Sequence, residues 1–184
     1  CFMNYVIRSI RAAEWAAVKD LRLAALQDPV AHLAFLDSYD EAVVRSDSFW
    51  QERAEGACEG AEKAQQFVGI AADGVWAGTA TVLLEEPGTT DWAGNRIEHR
   101  QGHVVGVYVR PEHRGKGLSE ALFEAGTAWA QKAGVERMRL IVHEDNLRAQ
   151  GLYRKLGFKP SGVTVPLGKG TDEAELEYVL ERPV

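Results

Sequence analysis

The sequence predicts an α/β (α+β) protein: one mixed sheet of six to seven strands with helices on both faces. Three observations carry that expectation. Seven short apolar stretches read as strands, interleaved with stretches whose apolar residues recur every three or four positions. Two of the strand stretches meet across Asp73-Gly74, a turn pair suited to a hairpin between antiparallel strands. Elsewhere strand, helix and strand follow in turn, the order of a parallel crossover. Hairpins and crossovers together call for a mixed sheet. At 184 residues, with 46% apolar and 26% charged, the chain suits one domain with a sizeable core and is short for two.

Each element follows from local pattern. Residues 5–10 form the first strand candidate. Residues 11–27 turn helical, with Trp15, Val18, Leu21 and Ala25 three or four apart. Asp28-Pro29 stops that helix, because the residue before proline avoids the α region. Residues 35–39 are ambiguous, and a second helix is expected over 40–56. Strands over 66–72 and 75–85 form the hairpin. The polar stretch 86–101 holds Pro87, Gly88 and Gly94 and is long for a connection. A valine-rich strand over 102–110 leads to a helix over 115–133, with Leu118, Ala121, Leu122, Ala125 and Trp129 on one face. A strand over 137–142 and a helix over 146–156 follow, then strands over 158–165 and 174–180. The second of these helices puts Ala149, Leu152, Tyr153 and Leu156 on one side.

Composition narrows the function. A net charge of −6 lacks the basic surplus of a nucleic-acid binder, so no nucleic-acid partner is expected. No apolar run approaches the roughly 20 residues of a membrane helix, and no secretory leader is evident, so no membrane partner is expected either. Cys1 and Cys58 make no disulfide framework, and a reducing, cytoplasmic setting is expected. His99, His103 and His113 do not share metal-ligand spacing, and no metal is assigned. Trp50, Trp76 and Trp92 read as packing residues, one of which could line a pocket. Glu85, Glu86 and Asp91 read as a solvated loop face able to attract a cationic amine.

The informative stretch runs Val107-Tyr108-Val109-Arg110-Pro111-Glu112-His113-Arg114-Gly115-Lys116-Gly117-Leu118-Ser119. A buried strand enters a glycine turn and a helix begins. The first N–H groups of a helix lack internal partners and sit at the positive end of its dipole, which makes an anion site. Gly115 and Gly117 let the backbone turn and approach a ligand closely. Arg114 and Lys116 add charge. A nucleoside-triphosphate loop is excluded, because Arg110 stands where its first glycine belongs and Gly117 follows Lys116. A dinucleotide fingerprint is excluded, because Leu118, Ser119 and Glu120 supply no third glycine.

This stretch resembles the signature of GCN5-related N-acetyltransferases: Arg/Gln-x-x-Gly-x-Gly/Ala after a strand ending Val-x-Pro-Glu. Here it reads Arg114-Gly115-Lys116-Gly117-Leu118-Ser119 after Val109-Arg110-Pro111-Glu112, with Ser119 in place of the usual final Gly or Ala. A second block, from Asn146 through Ala149, Leu152-Tyr153 and Lys155 to Gly157-Phe158, is similar to that family's Asn-x-x-Ala-x-x-Leu-Tyr-x-Lys-x-Gly-Phe stretch. The resemblance is strong over residues 102–160 and weaker before them.

The resemblance implies a strongly twisted sheet that splays open beside residues 107–109 and takes acetyl-CoA as acyl donor. It places cofactor contacts at Val107, Tyr108, Val109, Arg114, Gly115, Lys116, Gly117, Leu118, Ser119, Asn146 and Tyr153. The pantetheine arm would pair with the backbone of Val107 and Val109, and the pyrophosphate would sit on the N–H groups of residues 115–119. Asn146 is also a natural helix N-cap. Tyr153 is implied to protonate the leaving thiolate. His103, standing where the family often carries a Glu, is the candidate base for the amine's proton, with Glu98 or a water as alternatives. Imidazole suits the task because it ordinarily titrates near 6.5. By strand alternation His103 shares a face with Val105, Val107 and Val109, barring a bulge near Gly106. The expected reaction is acetyl transfer to a primary amine of a small molecule by direct attack. A protein or peptide acceptor, or acyl-CoA binding without turnover, are the alternatives. The acceptor site is expected from residues 33–56 and 86–101. Assembly as a homodimer is left open.

Overall fold

The computed structural model describes residues 4–35, 37–91, 94–166 and 172–181. Cys1 and Trp92 lie outside them. Among the described residues seven strands form one sheet in the order β1-β2-β3-β4-β5-β7-β6. They are β1 (Val6–Ser9), β2 (Ala64–Ile70), β3 (Trp76–Glu85), β4 (Gln101–Val109), β5 (Arg137–His143), β6 (Lys159–Pro166) and β7 (Ala174–Glu181). All neighbours run antiparallel except β4 and β5. The helices are α1 (Trp15–Leu26), α2 (Ala31–Ala34), α3 (Tyr39–Val43), α4 (Asp47–Ala57), α5 (Leu118–Lys132) and α6 (Leu147–Lys155). The crossover between the parallel strands is made by α5.

Helices cover both faces because successive strand residues point to opposite sides. On β2, Val68 packs with Val18 and Leu21 of α1 and Ala54 of α4. Its neighbour Phe67 packs on the other face with Leu118 and Leu122 of α5. The hairpin at Asp73-Gly74 closes as expected, with Gly74 at φ +86° and the Ala71 N–H bonded to Val75 O at 2.9 Å.

Two elements differ from the sequence expectation. The helix expected over 40–56 is two helices, α3 and α4. Ser46 stands between them, and its hydroxyl accepts from the Phe49 N–H at 3.3 Å. That side chain offers the backbone an N-cap in place of continued helix. The polar stretch 86–101 folds back on itself through a Thr90↔Arg96 bridge, and its Ile97 is buried.

The site is positioned by two irregularities of β4. The first is its pairing with β5, which holds at only two rungs, Gly102↔Met138 and His103↔Arg139. Past those rungs the strands part, at the carboxyl ends of a parallel pair, where open α/β sheets place their ligands. The second is a bulge. Register passes from Thr79↔Tyr108 to Thr81↔Val105, which leaves one extra residue in β4. Gly106 absorbs it at φ +62°, a conformation that disfavours any side chain. The bulge reverses the alternation. Val104 packs with Phe123 of α5 and Val109 with Leu118 and Leu122 of the same helix, whereas Tyr108 packs against α1. His103 and Val109 therefore face opposite sides, which corrects the expectation that residues 103, 105, 107 and 109 share one face.

Candidate functional site

Where β4 leaves β5, two cavities of about 550 and 610 Å³ adjoin. They share Ala34, Phe35, Val107, Asn146 and Tyr153 in their walls, so they form one continuous cleft. The larger runs from residues 107–109 of β4 to residues 114–119 at the start of α5, with Asn146 and Tyr153 on its far side. Every residue named above as a cofactor contact lines it. The smaller holds His103 and is walled by α1, α4 and the parted strands.

The edge of β4 facing this cleft has backbone groups to offer. The Arg110 N–H bonds Ala77 O of β3 at 2.8 Å, so by strand alternation the polar groups of Val109 point the other way; its C=O accepts from Arg114, and its N–H is left to the opening. The glycine turn follows. Gly115 and Gly117 sit at φ +75° and +83°, the left-handed region. A Cβ at Gly115 would meet nothing within 4 Å, which leaves room for a ligand against the backbone. Gly117 is the N-cap of α5, and no side chain caps that helix. Its first N–H groups are thus available at the positive end of a fifteen-residue helix.

The basic cluster beside the turn is mostly engaged in holding it. Arg114 donates through Nε to Val109 O at 3.0 Å and through Nη2 to Asp28 at 2.7 Å, which ties the turn to the end of α1. Arg110 Nε donates to Trp76 O at 2.7 Å, and His113 Nδ1 is bonded to the Tyr5 hydroxyl at 2.8 Å. Among the described residues Lys116 has no such tie. Arg114 therefore acts as a brace at the pocket wall, and Lys116 is the positive charge of the turn without such a tie.

On the opposite wall Asn146 caps α6, accepting from the Ala149 N–H at 3.2 Å. One turn on, the Tyr153 ring packs against Phe123 and Phe158, with centroids 5.7 and 6.4 Å away. Its hydroxyl bonds to no group among the described residues, and burial pushes its pKa up to about 12. The side chain is both a packing residue and a wall of both cavities.

His103 is buried, 2% exposed, and its Nδ1 lies 3.2 Å from Glu85 Oε2. Burial would raise the Glu85 pKa, but His103 and Arg139 outweigh it and bring it down to about 2. Glu85 is therefore an ionised acceptor, so Nδ1 of His103 carries the proton and Nε2 is the basic nitrogen. Arg139 holds Glu85 with two bonds, at 2.8 and 3.0 Å, and also bonds Asp91 at 3.0 Å and Glu177 at 3.1 Å. All lie on one face near the last rung between β4 and β5. This network corrects the reading of Glu85 and Asp91 as a solvated loop face, since the Asp91 side chain is fully buried. Glu98, the alternative base, is 72% exposed beside Arg96 and lines neither cavity. Trp50 and Trp76 also line neither. His143, at the end of β5, is buried with Nδ1 accepting from the Asp145 N–H at 3.0 Å.

Replacing Glu85 with Gln leaves Arg139 short of a buried partner and should destabilise the protein by about 3 kcal/mol at neutral pH. The sign with pH follows from a folded-state pKa below the unfolded one. The stabilisation is present above about 4.5 and is lost as pH falls toward about 2. Urea unfolding of both proteins across that range checks it, and the gap between them should close on acidification.

The geometry fits what the comparisons show. The model of the acetyltransferase (GNAT) family matches residues 15–158. Over 97% of this chain and 100% of the other, the fold is similar to that of an acetyltransferase of the GNAT family from Streptococcus pneumoniae, with a TM-score of 0.74 at 16% identity. In sequence the chain is 30% identical over 83 residues to a putative [ribosomal protein bS18]-alanine N-acetyltransferase of Bacillus subtilis, covering 45% of this chain and 55% of that protein. It is also 30% identical over 93 residues to an aminoglycoside N(6')-acetyltransferase type 1 of Stenotrophomonas maltophilia, covering 50% and 58%. The chain thus spans just over half the length of these two relatives. Because the family match takes in the parted strands, the glycine turn and Tyr153 in one alignment, the chain belongs to the acetyltransferase (GNAT) family.

Proposed function

We propose that the protein is an N-acetyltransferase that moves an acetyl group from acetyl-CoA to a primary amine of a small molecule by direct attack. One observation carries the reading. The unpaired edge of β4, the uncapped start of α5 and the unbonded hydroxyl of Tyr153 meet in a single cleft. These residues fit acetyl-CoA. The edge of β4 offers amide partners to an extended arm, as a sheet edge does to an added strand. The turn from Gly115 to Ser119 offers N–H groups and Lys116 to phosphate oxygens, and open space stands over Gly115. When bound, acetyl-CoA would supply the acetyl group: the amine nitrogen bonds the thioester carbonyl carbon, the C–S bond breaks, and CoA leaves as the thiolate.

The chain's own residues then have defined tasks. His103 accepts the amine's proton at Nε2, because Glu85 occupies Nδ1. Tyr153 gives a proton at its hydroxyl, which burial keeps protonated. The Val109 N–H faces the opening, where it can steady a carbonyl oxygen. Holding the reactants in line across the shared wall supplies further rate. The two relatives are named for acceptors of different classes, a ribosomal protein and an aminoglycoside. The concave cavity of about 550 Å³ beside His103 favours a small molecule here.

The test is thiol release from acetyl-CoA across a panel of amines, with acetyl-CoA binding measured by calorimetry. In His103→Ala, kcat/KM should fall by about 10²-fold and the acid limb of the pH profile should shift or vanish. A normal rate with a wild-type pH profile in that variant removes His103 from the mechanism. Absence of acetyl-CoA binding removes the whole reading.

A further inference from the structure

The acceptor cavity has an unusual wall. Arg22 of α1 and Arg53 of α4 both line it, and Arg53 shares its helix face with Ala57 one turn on. Among the described residues Asp37 is the carboxylate that pairs with guanidiniums at this corner. Asp37 accepts from Arg22 and, at 3.1 Å, from Arg45. Three guanidiniums therefore surround one acidic group. Arg53 has no carboxylate partner among the described residues, and the Nε of Arg22 is buried without a hydrogen-bond acceptor.

The charges on this wall act on one another. Arg53 is exposed to the cavity and the solvent, with the cations of Arg22 and Arg45 and the carboxylate of Asp37 nearby. Arg53 still carries its charge at neutral pH. Glu52 and Glu175 also line the cavity, and burial pushes the Glu175 pKa up, toward its neutral form. Aromatic rings hold two of the forks in place: Arg22 lies 4.5 Å from the Phe35 centroid and Arg53 5.7 Å from that of Trp50. A Cβ at Gly56, beside Arg53 in the same wall, would meet nothing within 4 Å, so the space there is open. Planar, preorganised guanidiniums with unspent donors match oxyanions. A polycationic acceptor would meet repulsion at the same wall.

We infer that the amine accepted here also carries an anionic group, a carboxylate or a phosphonic or phosphinic oxyanion, and that Arg53 with Arg22 binds it. The inference rests on the acetyl-transfer reading and names the acceptor class for that site. It departs from the sequence expectation, in which acidic residues of the 86–101 stretch would draw in a cation. Of Glu85, Glu86 and Asp91, the first and last are tied to Arg139 and Glu86 to Arg100.

The experiment is steady-state acetyl transfer to matched acceptors: amino acids and aminophosphonic acids, their neutral amides, and the amines left when the acid is removed. The wild type should favour the anionic members by about 10- to 100-fold in kcat/KM, the scale of a charge-assisted hydrogen bond. In Arg53→Gln that preference should collapse by 10- to 100-fold, mainly through KM, while acetyl-CoA affinity by calorimetry matches the wild type. Gln has nearly the helix propensity of Arg, so the variant should fold. Equal use of the amides or the acid-free amines overturns the inference. So does a preference that survives Arg53→Gln, or failure of every anionic amine in a protein that binds acetyl-CoA. Failure to bind acetyl-CoA at all overturns the acetyl-transfer reading as well, which separates the two.

Discussion

Replacing Gly117 with Asp lowers acetyl-CoA affinity by about 100-fold or more, equivalent to about 2.7 kcal/mol, while the fold survives. Three effects compete at this position. The residue sits at φ +83°, which costs a side chain about 1–2 kcal/mol, and less for Asp or Asn, whose short polar groups tolerate that region. Asp at an N-cap also stabilises its helix, by roughly 0.5–1 kcal/mol, because it can accept from the N–H groups and complements the dipole. Stability should therefore change little. Affinity should change greatly, because the carboxylate claims the same N–H groups and puts a negative charge where a pyrophosphate must sit. Gly117→Asn is the control: nearly the same shape and backbone demand without the charge. Calorimetry should show Asp losing at least tenfold more affinity than Asn, with similar urea midpoints. Unchanged affinity in the Asp variant would place the phosphates elsewhere.

The glycine turn could be argued in advance because every feature it needs is local. Two glycines, a strand before and a helix after are all visible within a dozen residues. The same holds for Asn146, whose capping partner is three residues away, and for the hairpin at Asp73-Gly74. Other contacts of the site join partners far along the chain. Glu85 meets Arg139 across 54 positions, and Arg114 meets Asp28 across 86. No periodicity records such pairs, so Glu85 and Asp91 looked like an exposed loop, and the brace from Arg114 to Asp28 was not legible. The Gly106 bulge is an intermediate case. A glycine inside a strand signals a bulge, but only the register with β3 shows that the alternation reverses there. His103 shares a face with Glu85 and Arg139 by the regular register before the bulge, and the reversal turns Val109 to the opposite face. The Arg22–Asp37–Arg45 corner was hidden twice over. It links three separate helical or loop segments, and it lies in the stretch where Ser46 divides one expected helix into two.

Tyr153→Phe should lower kcat by about 10²-fold, within the range of a single acid–base group, and leave acetyl-CoA affinity nearly unchanged. The substitution is clean for structural reasons. The ring keeps its contacts with Phe123 and Phe158, and the hydroxyl bonds to no group among the described residues, so its loss orphans no partner. Folding stability at neutral pH should move by less than about 1 kcal/mol. The pH behaviour supplies a second, independent reading. Burial lifts the Tyr153 pKa from 10.0 to about 12, so the folded protein holds this proton more tightly than the unfolded chain does. Its contribution to stability is whole below about pH 10 and is lost as pH rises toward about 12. The wild type should therefore weaken over that interval relative to Tyr153→Phe, as urea midpoints at pH 9 and 11.5 would show. The hydroxyl also remains a proton donor through pH 10, so the alkaline limb of wild-type kcat should show no inflection from Tyr153 below that value. A variant with full kcat would return Tyr153 to the core, where its contacts with Phe123 and Phe158 already give it a sufficient role. A fall in kcat with the alkaline stability difference present would tie the lost rate to the one proton the substitution removes.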